Sequence, residues 1–199
     1  LAERKGLVQV YMGDGKGKTT ASLGLALRAL GHNHSVYMVQ FMKAGDTGEM
    51  FAIQKYLPNF TLVQFGKDVV KEKQMKMVSF ESKDKFKNTL TNKERYIFFS
   101  DKSETEPALL GWEHAKKVVA SGNHDVVILD EVNCVAGRNM VPVAEILELM
   151  KNKPDHVELV LTGRDPPQEV QDAADLVSEI KRVKHPYDNG ILARKGIEY

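Results

Sequence analysis

Met12-Gly13-Asp14-Gly15-Lys16-Gly17-Lys18-Thr19-Thr20 decides how this chain is read. It follows an apolar run, residues 7–12 (LVQVYM), and precedes a helix-period stretch, residues 19–31 (TTASLGLALRALG), with apolar positions at Leu23, Leu27 and Leu30. A strand, a glycine-rich turn and a helix in that order make a cradle for phosphate. Several backbone N–H groups must converge on the anion, and glycine lets the chain wrap that closely. The helix N-terminus adds unsatisfied N–H groups and the positive end of its dipole. Lys18 is placed to neutralise phosphate charge, serving ligand and not core, and Thr19 to offer its hydroxyl to Mg²⁺. The pattern G-x-x-x-x-G-K-[ST] is met except at its first position, where Met12 stands. A glycine-rich β–α turn without ligand is the plainer alternative. Gly24, about 1 kcal/mol worse than Ala inside a helix, is expected to permit close packing.

Outward from this loop the hydrophobic period keeps switching. Residues 36–41 (VYMVQF), 60–65 (FTLVQF), 125–130 (DVVILD), 157–162 (VELVLT) and roughly 176–183 read as strands, while 48–57, 104–121, 142–151 and 167–174 read as helices. The alternation predicts an α/β fold: a P-loop NTPase-like (RecA-like), mostly parallel sheet with helices on both faces. The run Val126–Leu129 is continuously apolar, as in a central strand buried on both sides, and ends in Asp130-Glu131. That strand is expected beside the first, with one of the two carboxylates near Mg²⁺, since they point to opposite faces. Two carboxylates merely exposed at a strand end are the alternative. An ATP-type nucleotide with Mg²⁺ follows from loop and carboxylates together; its use does not.

The chain has 199 residues, and 42 % hydrophobic with 28 % charged residues is ordinary for a globular domain. One P-loop domain over residues 1–199 with an insertion at 67–102 is expected. A formal net charge of +1 gives no field that would draw the chain to nucleic acid or anionic lipid. The single cysteine, Cys134, excludes an internal disulfide, and no apolar run reaches a membrane span, so a cytoplasmic setting is expected. Residues 67–102 break the pattern, with ten Lys/Arg against six Asp/Glu and neither proline nor glycine. They are expected to be a solvated helical insertion, or a partly helical cover over the carboxyl ends of the strands. Trp112 is read as packing, and Arg28 and Arg164 as triphosphate contacts or structural ion pairs.

Gly13–Thr20 (GDGKGKTT), Leu27-Arg-Ala-Leu-Gly-His32 and Val39-Gln-Phe41 resemble the phosphate-loop type of ATP:corrinoid adenosyltransferases. So do Leu129-Asp-Glu131, Leu161-Thr-Gly-Arg164, and residues 183–188 (VKHPYD) with 195–199 (KGIEY). The resemblance covers residues 7–66 and 104–199, and the non-glycine at position 12 is a habit of that family. It implies transfer of the 5′-deoxyadenosyl group of ATP to the cobalt(I) of a reduced corrinoid, with release of triphosphate. It implies Lys18, Thr19 and Glu131 as catalytic residues. Gly13, Asp14, Gly15, Lys16, Gly17, Lys18, Thr19, Thr20, Arg28 and Arg164 are expected on the nucleotide, and Thr19 with Asp130 or Glu131 on Mg²⁺. A homodimer and an electron-donor protein that reduces cobalt are expected partners. Relatives acting on cobalamin carry a Phe-x-Trp segment after the Phe-Gly matching Phe65-Gly66; none stands here. Phe65, Tyr96, Phe98 and Phe99 are the aromatic candidates for the corrinoid. An ATPase releasing ADP and phosphate, or a corrinoid- and ATP-binding module without turnover, are the competing functions.

Overall fold

The computed structural model describes residues 5–43, 45, 47–66 and 105–199, together with the backbone of residues 96–99. Among the described residues seven strands form one sheet: β1 (Val8–Met12), β2 (Val36–Phe41), β3 (Phe60–Phe65), β4 (Tyr96–Phe99), β5 (Val126–Asp130), β6 (Glu158–Thr162) and β7 (Leu176–Glu179). Their order is β4-β3-β2-β5-β6-β1-β7, and every neighbouring pair is parallel. The helices are α1 (Lys18–Leu30), α2 (Gly48–Tyr56), α3 (Thr105–Ser121), α4 (Val132–Gly137), α5 (Val143–Asn152) and α6 (Gln168–Ala173). A 3-10 turn, Pro186–Asn189, follows β7. This is the expected P-loop NTPase-like arrangement, with two differences in the sheet.

First, β5 does not lie beside β1. Strand β6 stands between them, pairing Val8 with Leu159 on one side and Val126 with Glu158 on the other. Second, residues 96–99 are not a cover. They extend the sheet as edge strand β4, in register with Leu62–Phe65, at the edge opposite β7. Four consecutive apolar residues, YIFF, are too short a run to stand out as a strand in so charged a stretch. Residues 67–95 and 100–104, the rest of the charged stretch, lie outside the described residues.

Side-chain alternation along the strands sends Val36 and Met38 to one face and Tyr37, Val39 and Phe41 to the other. Each face is buried under helices, so β2 and β5 are buried along their whole length. On the face of α1 and α2, Ala26, Ala29 and Ile53 pack on Met38, Leu62, Ile128 and Val160. On the other face, Trp112, Ala115 and Val119 of α3 join Val132 and Val135 of α4 and Ile146 of α5. Trp112 is buried, and its indole N–H donates to Glu145 Oε2 at 2.6 Å, which confirms its packing role. Of the expected apolar positions of α1, Leu23 and Leu30 pack against the core, but Leu27 is 61 % exposed, while Ser22, Ala26 and Ala29 are buried. Small side chains let α1 approach the sheet closely beneath the loop. Gly24 plays no part in that approach, since a Cβ there meets nothing within 4 Å. On the other face a glycine does permit close packing: at Gly111 in α3 a Cβ would lie 2.9 Å from Phe41 Cε1 and from Phe65 Cγ.

Candidate active site

The loop Gly13–Gly17 leaves the carboxyl end of β1 and its three glycines are needed for two different reasons. A Cβ at Gly13 or Gly15 would meet the Ile180 carbonyl oxygen at 2.4 and 2.6 Å, because the loop lies against the segment after β7. Gly15 N–H donates to that same carbonyl at 2.8 Å, and Arg182 N–H donates to Asp14 Oδ1 at 3.0 Å. Gly17 has open space but a φ of 125°, which L side chains rarely adopt. Lys18 opens α1 with its ammonium donating to the Gly13 and Gly15 carbonyls, 2.7 Å each, and is 8 % exposed. The lysine thus also holds the loop, a structural role that its reading as a pure ligand contact omitted.

Thr19 reaches across to Asp130 at the end of β5. Its hydroxyl donates to Asp130 Oδ1 at 2.8 Å, and Thr162 Oγ1 at the end of β6 donates to the same oxygen at 2.6 Å. Gln40 Nε2 (3.1 Å) and Lys43 Nζ (2.8 Å) donate to Asp130 Oδ2. Burial drags the Lys43 ammonium down, but Asp130 beside it, with Glu49 and Glu131, outweighs this and raises its pKa above the ordinary lysine value. A buried carboxylate is costly unless paired and hydrogen-bonded, and this one is both. Glu131 turns away from that knot. Its backbone is left-handed (φ 65°), its N–H donates to Thr162 Oγ1, and its Oε2 accepts from the Cys134 thiol at 2.9 Å. Burial, with Glu131 alongside, pushes the Cys134 thiol up to about 11.

Beside this knot lies a cleft of about 400 Å³ walled by Lys16, Lys18, Thr19, Thr20, Lys43, Glu49 and Glu131. Its far wall is residues 196–199, which no reading of the sequence placed there. Lys16 Nζ holds Glu198 at 2.7 Å, and the Arg194 guanidinium grips the same carboxylate. Those cations hold Glu198 down to about 2. His185 Nδ1 accepts the Tyr187 N–H and so orients the preceding turn. Lys43, Gln40 and Thr162 were also missed as site residues. Thr162 lies within the quoted Leu161–Arg164 segment and Gln40 within Val39–Phe41, but only the sheet order shows that they share a carboxylate.

Other expected site residues stand elsewhere. Arg28 is in the last turn of α1, about 15 Å along the helix from Lys18 at 1.5 Å per residue, and does not line the cleft. Arg164 is exposed after β6, its N–H directed at Cys134 Sγ at 3.4 Å. Phe65 is 1 % exposed and packed on His114 beneath α3, so as it stands it is core and not a corrinoid contact. Tyr96, Phe98 and Phe99 belong to edge strand β4, which is separated from β1 by the four strands β3, β2, β5 and β6.

An all-parallel sheet with a glycine loop, lysine and threonine at the start of α1, and an acidic strand end define a phosphate-loop nucleotide-binding protein. Comparison with known proteins narrows this. Residues 4–199 match the family described as ATP:corrinoid adenosyltransferase BtuR/CobO/CobP. The chain is 30 % identical over 198 residues to Corrinoid adenosyltransferase CobA of Salmonella typhimurium (strain LT2), covering 99 % of this chain and 87 % of that one. It is also 30 % identical over 198 residues, with the same coverage, to Corrinoid adenosyltransferase of Escherichia coli (strain K12). A Sinorhizobium corrinoid adenosyltransferase is 31 % identical over 199 residues, 99 % of this chain and 82 % of its own length. The chain therefore belongs to the ATP:corrinoid adenosyltransferase family, and adenosyl transfer is its function at the family level.

Proposed function

We propose that the cleft takes ATP with its triphosphate on Gly13–Thr20, and that a reduced corrinoid approaches the 5′ carbon from outside. The cobalt(I) electron pair forms the Co–C5′ bond, and the C5′–O5′ pair leaves on the oxygen of an intact triphosphate. Catalysis then rests on alignment and on stabilising negative charge gathering on the leaving group. Lys18, together with the loop N–H groups, answers that charge. No group needs to activate water. The observation that carries the reading is the meeting of Lys16, Lys18, Thr19 and Glu131 in one cleft of a chain of this family.

Thr19 Oγ1 and Asp130 form an oxygen-only pair, 2.8 Å apart, and an ammonium already rests on both of them. That donor chemistry suits Mg²⁺, which takes one or two protein oxygens and completes its shell with water and phosphates. Thr19 and Asp130 would hold it, with Glu131 on the same wall; it would supply charge neutralisation on the triphosphate.

Tyr96, Phe98 and Phe99 remain our candidates for displacing the corrin's lower ligand. Their Ala variants should lose more activity starting from cobalt(II) than from cobalt(I). A homodimer and an electron-donor protein belong to the same reading, and light scattering tests the dimer. No described helix is long and apolar enough to cross a membrane. The deciding assay is anaerobic, with ATP, Mg²⁺ and chemically reduced cobalamin. A new Co–C absorbance band with intact triphosphate supports the transferase; ADP and phosphate would support a hydrolase, and binding without turnover a module.

A further inference from the structure

Asp130 accepts from four donors, and three of them are firmly held. Gln40 is buried and its Oε1 accepts from Gln64 Nε2 at 2.9 Å. Thr162 is buried and accepts the Glu131 N–H at 3.0 Å. Thr19 sits in the first turn of α1. The fourth donor, Lys43, hangs on a flexible four-carbon stem, and its side chain is 29 % exposed at the cleft wall. Its Nζ lies 2.8 Å from Asp130 Oδ2 and 3.1 Å from Thr19 Oγ1, between the two groups that a divalent cation would use.

The chain builds this placement deliberately. Met42 takes a left-handed backbone (φ 57°) and its N–H donates to the Phe65 carbonyl at 2.7 Å. Gly66 then admits the Lys43 backbone, which a Cβ at position 66 would meet at 2.5–2.6 Å. The lysine is thus delivered to the carboxylate by two adjoining strand ends.

We propose that Lys43 is a positioning residue that serves as a tethered stand-in for the divalent cation: it holds the Thr19–Asp130 pair in the nucleotide-free protein, keeps Mg²⁺ out, and is drawn off by the triphosphate. The inference rests on the reading of Thr19 and Asp130 as metal-holding residues. Its physics is exchange. Two cations cannot share one carboxylate and one hydroxyl at contact distance without strong repulsion. Of the four donors, the flexible and partly exposed one is the one that can leave, and a polyanion in the cleft offers its ammonium a new partner. Metal and nucleotide are then coupled, each strengthening the other's binding.

The test uses Mn²⁺ as probe, with its free concentration read by electron paramagnetic resonance, on wild type, Lys43→Gln and Lys43→Arg. Without nucleotide, Lys43→Gln should bind Mn²⁺ roughly tenfold to a hundredfold tighter than wild type, the range of one charged hydrogen bond. Lys43→Arg, which keeps the charge, should stay near wild type. In ¹⁵N-lysine-labelled wild type, the Lys43 Nζ–H signal should survive Mg²⁺ alone and vanish with Mg²⁺ plus tripolyphosphate. This second measurement needs no variant to fold. Equal Mn²⁺ affinity in wild type and Lys43→Gln, or loss of the signal on Mg²⁺ alone, overturns the proposal. If either of those results is found while Mn²⁺ still binds with tripolyphosphate present, the exchange falls and the metal reading of Thr19 and Asp130 stands. If no form binds it under any condition, the metal reading of Thr19 and Asp130 falls too.

Discussion

Replacing Asp130 by Asn keeps shape and volume while removing the charge on which the loop, β2, β5 and β6 converge. The carboxylate offers Oδ1 to Thr19 and Thr162, and Oδ2 to Gln40 and Lys43. An amide can serve only one pair as acceptor. Gln40 and Lys43 are donors without choice, so the amide oxygen must face them and the NH₂ must face the hydroxyls. Thr19 can turn its hydroxyl to accept. Thr162 already accepts the Glu131 N–H, so its own hydrogen loses its partner. The ion pair with Lys43 is lost as well, and it is discounted because that side chain is 29 % exposed. Weakening one charged hydrogen bond and orphaning one buried hydroxyl should cost about 2 kcal/mol. For a chain of this size that lowers Tm by about 4–8 °C. Urea and thermal unfolding of the nucleotide-free protein measure it, at low salt and in 1 M NaCl. The loss should persist in high salt because Asp130 itself is fully buried. A Tm within about 1 °C of wild type would show that the four contacts do not hold the loop, and the site geometry argued from them would go with it.

Lys18→Ala should abolish adenosyl transfer and, by freeing the Gly13 and Gly15 carbonyls, lower stability by about 1–2 kcal/mol; an active variant removes the loop from the mechanism. Gly111→Val and Gly24→Ala should move stability in opposite directions. The first forces a side chain into Phe41 and Phe65 and costs about 2–3 kcal/mol, whereas the second meets open space and gains up to about 1 kcal/mol; calorimetry reads both. Cys134, with its thiol pushed up to about 11, is about one part in a thousand thiolate at pH 8, so iodoacetamide should modify it roughly a hundredfold more slowly than a free thiol. Glu198 is held at about 2 by Arg194 and Lys16, so its pairing is complete above the ordinary carboxylate range and is lost as pH falls through about 2. A carboxyl ¹³C titration with its midpoint near 4.5 would mean that residues 194–198 do not dock on the loop.

What could be read without coordinates follows from how local each signal is. The phosphate loop was legible because its requirements, three glycines and a Lys-Thr at a helix start, lie within eight residues. The run Val126–Leu129 was legible because a strand buried on both faces leaves no polar alternation. Strand β4 was not, since four residues inside a charge-rich stretch carry too short a period. Helix α4, six residues long, fell below the same limit. On α1, Leu23 and Leu30 turn inward as their spacing predicts, but Leu27 does not, because close approach to the sheet favours the small Ser22, Ala26 and Ala29. Lys43 is one lysine in a loop, and nothing in its neighbours distinguishes it. It acquires meaning only once β2 and β5 are adjacent and Gly66 makes room for its backbone.

The order of strands has a consequence for the making of the protein on the ribosome. β1 emerges early, yet both of its sheet neighbours, β6 and β7, are among the later strands, and the loop that follows it rests on residues 180–182. β2, β3 and β5 can pair with one another meanwhile, but β1 has no edge to join until residue 158 has appeared. The nascent chain must therefore carry its Val8–Met12 segment without its sheet partners until then, a long-range closure of the slow kind. The cleft is finished later still, when residues 196–199 arrive to form its wall. A newly made chain thus gains its sheet before its nucleotide site, and fragments released early would have no cleft through which to engage ATP.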